Sequence, residues 1–390
     1  MAPADTRTRL MVIGVHVKSE AYPNTLFRLR DLAISDRFRY SEINLALWNE
    51  NTQHRHGRSR LTRNLLRAVF AHLVVLGRYL RSDHPDVSYV PYPAVFVLLL
   101  LRALPRTLQP PRIVADAFIS LYDTIVMDRR LLRRDGMPAK ALRWLEQRAL
   151  EFADHVVVDT TQNARFMSDL LALPAAKISA IPLATDEAHF RQLPYEPSAG
   201  TCRVLFVGTI APLHGVMTIL EAARLLAAHA DIQFRLIGDG QESPAIEAWL
   251  KTNHANVSWE RQWQSSAQIA DAIARSDICL GIFGAGEKAQ RVCPYKIYAY
   301  ASVGRAVVTG DTEWTRSAFG SEVRGVFSCV PTDDPLSLAQ RIAELAEDAE
   351  LRLRLATNAR RFYEAELSNR KGLAMIEALL AEVSATPSAA

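Results

Sequence analysis

The run Gly281-Ile-Phe-Gly-Ala-Gly-Glu-Lys-Ala-Gln-Arg291 sets three glycines ahead of Glu287, Lys288 and Arg291. Those residue types suit a phosphate-bearing ligand. Glycine lets the backbone approach an anion closely, and a following helix start adds the positive end of its dipole. Two cations three residues apart, in a loop or a first helical turn, can neutralise one diphosphate. Glu287 is the carboxylate of this loop, able to accept from a ligand hydroxyl or to pair with Lys288. Lys296 falls just past Pro294, inside the helix that the loop opens. Two more glycine turns, Gly208-Thr209 with His214-Gly215 and Gly238-Asp239-Gly240, follow apolar runs of their own. His214 at a helix-opening turn could serve the same anion or be simply structural or solvated. Asp239 fits a turn better than it fits catalysis, and Trp259 and Trp263 fit core packing better than they fit a base-stacking site.

In the first half, Asp116 and Asp123 lie seven apart after the apolar run Ile113–Ala117. An acid at the carboxyl end of a strand can orient or deprotonate a hydroxyl, and it can equally cap a helix. Tyr22, Pro23 and Asn24 follow the first apolar run and form the other natural substrate loop. No metal site is expected: nothing around the glycine loop has ligand spacing, and Asp333-Asp334 comes late, before a helix, as a cap.

These residues need elements to hold them. Leu10–Val17, Val87–Val90, Ile113–Ala117, Val156–Asp159 and Ile178–Ile181 read as strands. Helices are expected from near Thr25, from Arg60 to Leu80, over Ala139–Phe152 and over Gln162–Leu171. The alternation demands parallel βαβ units. Leu183 to Thr201 breaks the rhythm with Pro194, Pro197, Ser198 and Gly200, a linker composition. It restarts with strands at Val204–Gly208, Phe234–Ile237, Val257–Trp259, Ile278–Ile282 and Ala306–Thr309, so both halves are Rossmann-like. Ligands of open parallel sheets bind beyond the carboxyl ends of strands, which is where the three glycine turns fall. Ala339 to Glu382 reads as nearly continuous helix.

At 390 residues, 49% hydrophobic and 23% charged, the chain is sized for two globular domains. Its four cysteines have no metal-like spacing, and Cys202 and Cys279 sit in or beside apolar strands as buried thiols. Pro93 to Leu101 is apolar but too short to span a bilayer. The expected location is cytoplasmic, with the inner face of a membrane as an option. The net charge of +4 is uneven: Arg58, Arg60, Arg63, Arg67, Arg78 and Arg81 crowd one segment, with Leu61, Leu65, Val69, Leu73 and Leu80 on another helix face. That profile fits peripheral contact with an anionic membrane, or a core helix with a solvated edge. Nucleic acid is not expected, because the cluster lacks interleaved aromatics for base stacking.

Five stretches, Ala153–Thr160, Ile181–Phe190, Leu205–Val216, Leu236–Gly240 and Pro294–Gly304, together resemble the retaining, nucleotide-sugar-dependent glycosyltransferases of family 4. Arg352 to Tyr363 is similar to that family's closing helix. The resemblance implies an α/β chain of GT-B architecture, two Rossmann-like domains facing across a cleft. Residues 1–185 would form the acceptor domain, 186–200 the linker and 201–368 the nucleotide-sugar domain. Residues 369–390 would form a C-terminal helix, free to cross back to the first domain, with a frayed tail. It further implies metal-independent hexosyl transfer, in cell-surface polysaccharide or glycolipid biosynthesis, from a nucleoside diphosphate sugar to a glycan or lipid-linked acceptor. The donor is a co-substrate and no cofactor is expected. Lys288, Arg291, Glu287, Asp116 and Asp123 would carry the chemistry. Gly208, Thr209, His214, Gly238, Asp239, Gly240 and Lys296 would hold the donor, and Tyr22, Pro23 and Asn24 the acceptor. The chain departs from the family where Thr209 and His214 replace an arginine and a lysine, and where Ala299 replaces a glutamate. Those departures leave two alternatives open, a non-catalytic partner subunit and a nucleotide-sugar epimerase.

Overall fold

Short β-branched strands spaced by helices can pair in parallel only through crossover connections, and both sheets of the protein are of that kind. The computed structural model describes residues 7–20, 22–46, 61–195, 200–253, 256–262, 264–320 and 323–386. The chain divides into one unit of Met1–Ala184 with Asn369–Ala390 and another of Thr185–Ser368.

The first unit runs β1 (Thr8–Gly14), α1 (Pro23–Ile34), β2 (Phe38–Asn44), α2 (Leu61–Tyr79), β3 (Val87–Val90), α3 (Val95–Arg102), β4 (Ile113–Asp116), α4 (Met137–Phe152), β5 (His155–Val158), α5 (Thr161–Leu171) and β6 (Ile178–Ala180). Its sheet has the order β2-β1-β3-β4-β5-β6, every pair parallel. Successive side chains of a strand point to opposite faces. Met11 and Ile13 accordingly join one core with Val75, Leu98 and Val156. Leu10 and Val12 join the other with Leu29, Val114 and Val157. The C-terminal helix Asn369–Ala385 closes that second face with Ile376, Leu379 and Leu380. Thr160 caps α5 by accepting from the Asn163 amide at 3.1 Å.

The second unit contains β7 (Cys202–Val207), α6 (Val216–Leu225), β8 (Ile232–Ile237), α7 (Ser243–Thr252), β9 (Val257–Glu260), α8 (Ser266–Ala274), β10 (Ile278–Leu280), α9 (Glu287–Arg291), α10 (Tyr295–Val303), β11 (Ala306–Gly310), α11 (Glu313–Phe319), α12 (Val323–Val326), β12 (Ser328–Val330), α13 (Pro335–Glu347) and α14 (Ala349–Phe362), after which the chain continues into the C-terminal helix, α15. The strand order is β12-β11-β10-β7-β8-β9, again parallel throughout. Residues 191–195 pack on this unit. The fully buried Arg305 donates to the carbonyls of Leu193 (3.2 Å), Pro194 (2.9 Å) and Ala274 (2.7 Å), with its guanidinium 4.9 Å from the Tyr195 ring. A buried arginine needs such a set of acceptors to replace water. Cys202 and Cys279 are buried, and burial pushes the Cys202 thiol up to about 12.

One expectation needs correcting: the first strand ends at Gly14 rather than Val17. Lys288 and Arg291 sit on the short helix α9, a first helical turn rather than open loop. The stretch from Ala339 to Glu382 is nearly continuous helix, interrupted at Asp348, whose side chain caps α14 through the Leu351 amide at 2.7 Å, and at Ser368, after a π-helical turn at Tyr363–Leu367.

Candidate donor site

Three glycine turns meet at the carboxyl edge of the second sheet because nothing larger than hydrogen fits between them. Gly238 holds φ +139, and a Cβ there would lie 1.9 Å from the Gly208 carbonyl oxygen. A Cβ on Gly284 would meet the carbonyls of Pro212 and Leu213 at 2.5 and 2.6 Å. The turns are stitched by backbone bonds from Ile210 N to Asp239 O (3.1 Å) and from Phe283 N to His214 O (3.1 Å). Sequence spacing therefore placed the loops, and close packing of backbone on backbone joins them.

Into this junction α10 delivers a cation. Lys296 is 7% exposed, and its ammonium has no hydrogen-bond partner among the described residues. Nζ lies 4.1 Å from the centroid of the Phe206 ring. It also lies so near Gly208 that a Cβ there would be 2.9 Å away. Gly208, at φ +151, is thus the slot that admits the lysine. Burial drives the Lys296 ammonium well below the ordinary lysine range. An unpaired buried charge is costly unless something of opposite sign arrives.

His214 lies beside it. Its Nδ1–H donates to the Thr209 carbonyl, so the neutral ring leaves Nε2 as an acceptor. Removal from water, followed by the charges of Lys296 and Lys288, holds His214 well below the usual histidine pKa. The structure therefore gathers Gly208, His214, Lys288 and Lys296. Glu287 is exposed and Lys288 half-buried, while Arg291 is buried with its guanidinium 3.5 Å from the Glu287 carbonyl. Thr209 is exposed, and its carbonyl is committed to His214. Asp239 is spent on structure: it accepts from Gly240 N (2.9 Å), from Ser243 and from Arg261 (3.1 Å), which together hold its carboxyl below the usual range. Trp259 Nε1 donates to the Gly238 carbonyl at 2.9 Å and packs against the core; Trp263 lies outside the described residues. Asp334 caps α13 through Ser337. Ala299 is buried, as is the whole of Lys296–Val303.

At the carboxyl edge of the first sheet, Asp116 is 3% exposed. It accepts from Tyr89 Oη (2.7 Å), Phe118 N (3.1 Å) and Asn24 Nδ2 (3.4 Å). Burial raises its pKa against the pull of those bonds and of Arg28. Asn24 also accepts from Ala184 N at 2.8 Å, so both residues are occupied in joining α1, β3 and β4. Tyr22 and Pro23 are half-buried at the start of α1. Asp123 is buried, its amide bonded to Ser120 Oγ at 3.1 Å.

Sequence reasoning passed over a cluster at the ends of β1 and β2. Glu42 accepts from Lys18 Nζ (2.5 Å) and Tyr40 Oη (2.7 Å) and pairs with His16 Nε2 (3.2 Å). Burial opposes its ionisation, yet these bonds hold it at about 2. The alternating pattern of the edge strand β2 was the signal available. Glu146 was also missed. It is 1% exposed and receives Ser120 Oγ (3.0 Å) and the amides of Leu121 (2.7 Å) and Tyr122 (2.9 Å).

Residues 201–348 match the family described as glycosyl transferases group 1. That match falls within the second unit. No curated protein sequence matches the chain. The fold is that of the GT-B proteins. Sucrose-phosphate synthase from Thermosynechococcus elongatus superposes with a TM-score of 0.72 at 15% identity, over 96% of this chain and 99% of that one. The N-terminal domain of Candida albicans trehalose-6-phosphate phosphatase gives 0.70 at 9% identity, over 97% of each chain. Anabaena HepE, solved in complex with UDP, gives 0.65 at 13% identity, over 96% and 100%. The matched span includes the glycine turns at Gly208, Gly238 and Gly284 together with Lys288, Arg291 and Lys296.

Proposed function

We propose that the protein transfers a sugar, with retention and without a metal, from a nucleoside diphosphate sugar to a glycan or lipid-linked acceptor in cell-surface polysaccharide or glycolipid biosynthesis, at the cytoplasmic face of a membrane. The observation that carries the donor half of this reading is Lys296, a buried ammonium with no hydrogen-bond partner among the described residues, seated at the Gly208 turn. As the glycosidic bond breaks, negative charge grows on the leaving diphosphate. Preorganised cations in a dry site stabilise that charge without reorganising. Lys296 would act from beneath the turns, with Lys288 and Arg291 acting from α9, and Glu287 would meet a hydroxyl of the transferred sugar. The group 1 match and the complexes of HepE with UDP and with UDP-glucose support a donor of this class. Retention rests on the sequence resemblance. On the acceptor side, Tyr22 and Pro23 would contact the substrate, while Asp116, Asn24 and Asp123 would shape the loops that present them.

A thermal-shift panel of nucleoside diphosphates and their sugar conjugates tests the donor site, since a ligand at 100 times its Kd adds about 2.7 kcal/mol to apparent stability. At least one nucleoside diphosphate should raise the melting temperature of the wild type. The Lys288→Ala, Arg291→Ala double variant should lose the shift and slow transfer by about 10²–10³-fold. Activity should persist in EDTA. A full nucleotide response in the double variant would remove the donor from these loops, and loss with EDTA reversed by magnesium would replace the cations with a metal.

A further inference from the structure

Helix α2 is apolar on two sides, and only one of them is buried. Ala71, Val75 and Tyr79 face the core of the first unit. At about 100° per residue, Leu66, Val69, Phe70, Leu73 and Leu80 fall on a separate arc. They are 70%, 51%, 64%, 56% and 43% exposed. The apolar surface continues onto α3, where Phe96, 49% exposed, meets His72 edge-on at 5.9 Å between ring centroids. Arg67, Arg78 and Arg81 fall in a strip between the exposed arc and the core face. Arg78 reaches the Asn44 carbonyl at 3.3 Å and Arg81 the Gly77 carbonyl at 3.0 Å. From Asn51 to Ser82 the sequence holds seven arginines and no aspartate, glutamate or lysine.

We propose that this face of α2 and α3 docks on an anionic lipid bilayer, lying in the interface without crossing it. The charge pattern selects this occupant. A protein partner or a second copy would meet a helix whose charges are all arginine, with the flanking acids Glu50 and Asp83 only beyond this stretch of sequence. A sheet of lipid phosphates needs only a continuous apolar arc edged by cations. Arginine is suited to that edge, because its stem covers apolar surface while its head stays among phosphates. No helix among the described residues is long and apolar enough to cross a membrane, so attachment of this kind is peripheral. The proposal draws on the transfer reading only in giving a lipid-linked acceptor a reason to be met at a bilayer.

Co-sedimentation of the full chain with phosphatidylcholine vesicles, with and without phosphatidylglycerol, tests it. The wild type should pellet with the anionic vesicles and stay in solution with the neutral ones. Phe70→Ser with Leu73→Ser should lower partitioning at least about tenfold, and Arg67→Ala with Arg81→Ala by about 30-fold. All four side chains are on the surface, so circular dichroism and nucleoside diphosphate affinity should match the wild type; should the serine pair misfold, the arginine pair decides. No binding to anionic vesicles, or equal binding by the variants, would overturn the proposal. A dimer in lipid-free solution that the serine pair dissociates would hand the surface to a second copy. Vesicle failure with intact nucleotide binding sinks this inference alone, and the reverse result sinks only the donor reading.

Discussion

Asp116 and Lys296 are both buried charges at the carboxyl edge of a parallel sheet, and their surroundings differ in kind. Asp116 has a phenol, an amide N–H and an asparagine as donors, with Arg28 close enough to favour its charge. Lys296 has an aromatic face and a glycine. A buried group whose hydrogen bonds are complete holds a fold together, while one whose bonds are missing is poised for a ligand. By this criterion the first sheet's edge is built for rigidity around Asp116, while Tyr22 and Pro23 at the start of α1 stay half-buried. The second sheet's edge keeps its buried cation in reserve.

The sharpest way to break the contrast is through the backbone. Gly238→Ala must displace the Gly208 turn to relieve a 1.9 Å overlap and must also hold a side chain at φ +139. It should cost more than about 4 kcal/mol in urea titration and abolish nucleotide binding. A variant with wild-type stability would mean that the two turns are not locked together.

A matched pair of side-chain variants comes next. Asp116→Ala leaves the Tyr89 hydroxyl and the Asn24 amide without their acceptor and should destabilise by about 1–3 kcal/mol while nucleotide affinity holds. Lys296→Met removes an uncompensated buried charge. Its melting temperature should stay level or rise, and its nucleotide affinity should fall. If the two variants exchanged these signatures, the assignment of fold and function to the two edges would be reversed.

The smallest effect is protonic. Burial depresses the folded-state pKa of Lys296, and burial with the neighbouring cations depresses that of His214. An arriving diphosphate favours the charged forms, so binding should take up protons and strengthen as pH falls. Calorimetry in buffers of different ionisation enthalpy would read that uptake directly, and zero uptake would exclude both groups from the site. Without ligand the sign reverses. An unfolded histidine binds its proton near its ordinary value of 6.5, above the depressed folded value. His214 therefore contributes stability at neutral pH that is lost as pH falls below that point, by up to ~1.4 kcal/mol per pH unit.

The strands of both sheets were legible in β-branched runs, and so was the parallel topology that follows from the helices between them. The edge strands β2 and β12 escaped notice. Phe38–Asn44 mixes polar and aromatic residues, and Ser328–Val330 is too short to show a period. The glycine turns could be found because glycine advertises backbone constraint. Burial of Lys296 could not, because its neighbours Phe206 and Gly208 belong to a distant strand and turn. Asp116 was visible as an acid closing a strand, but Tyr89, which satisfies it, gave no sign of its direction. The glutamates of the two buried networks, Glu42 and Glu146, look in sequence like any solvated carboxylate.

Helix α15 returns the end of the chain to the unit where the chain began, placing Ile376 and Leu380 among the residues that bury Leu10 and Val157. The first unit made is therefore the last that can be finished. On the ribosome, Thr185–Ser368 is continuous and emerges whole, whereas the earlier sheet waits for its closing helix. At about 5–20 residues per second, roughly 200 residues of intervening synthesis leave that apolar face open for about 10–40 s. Order of completion therefore runs opposite to order of synthesis.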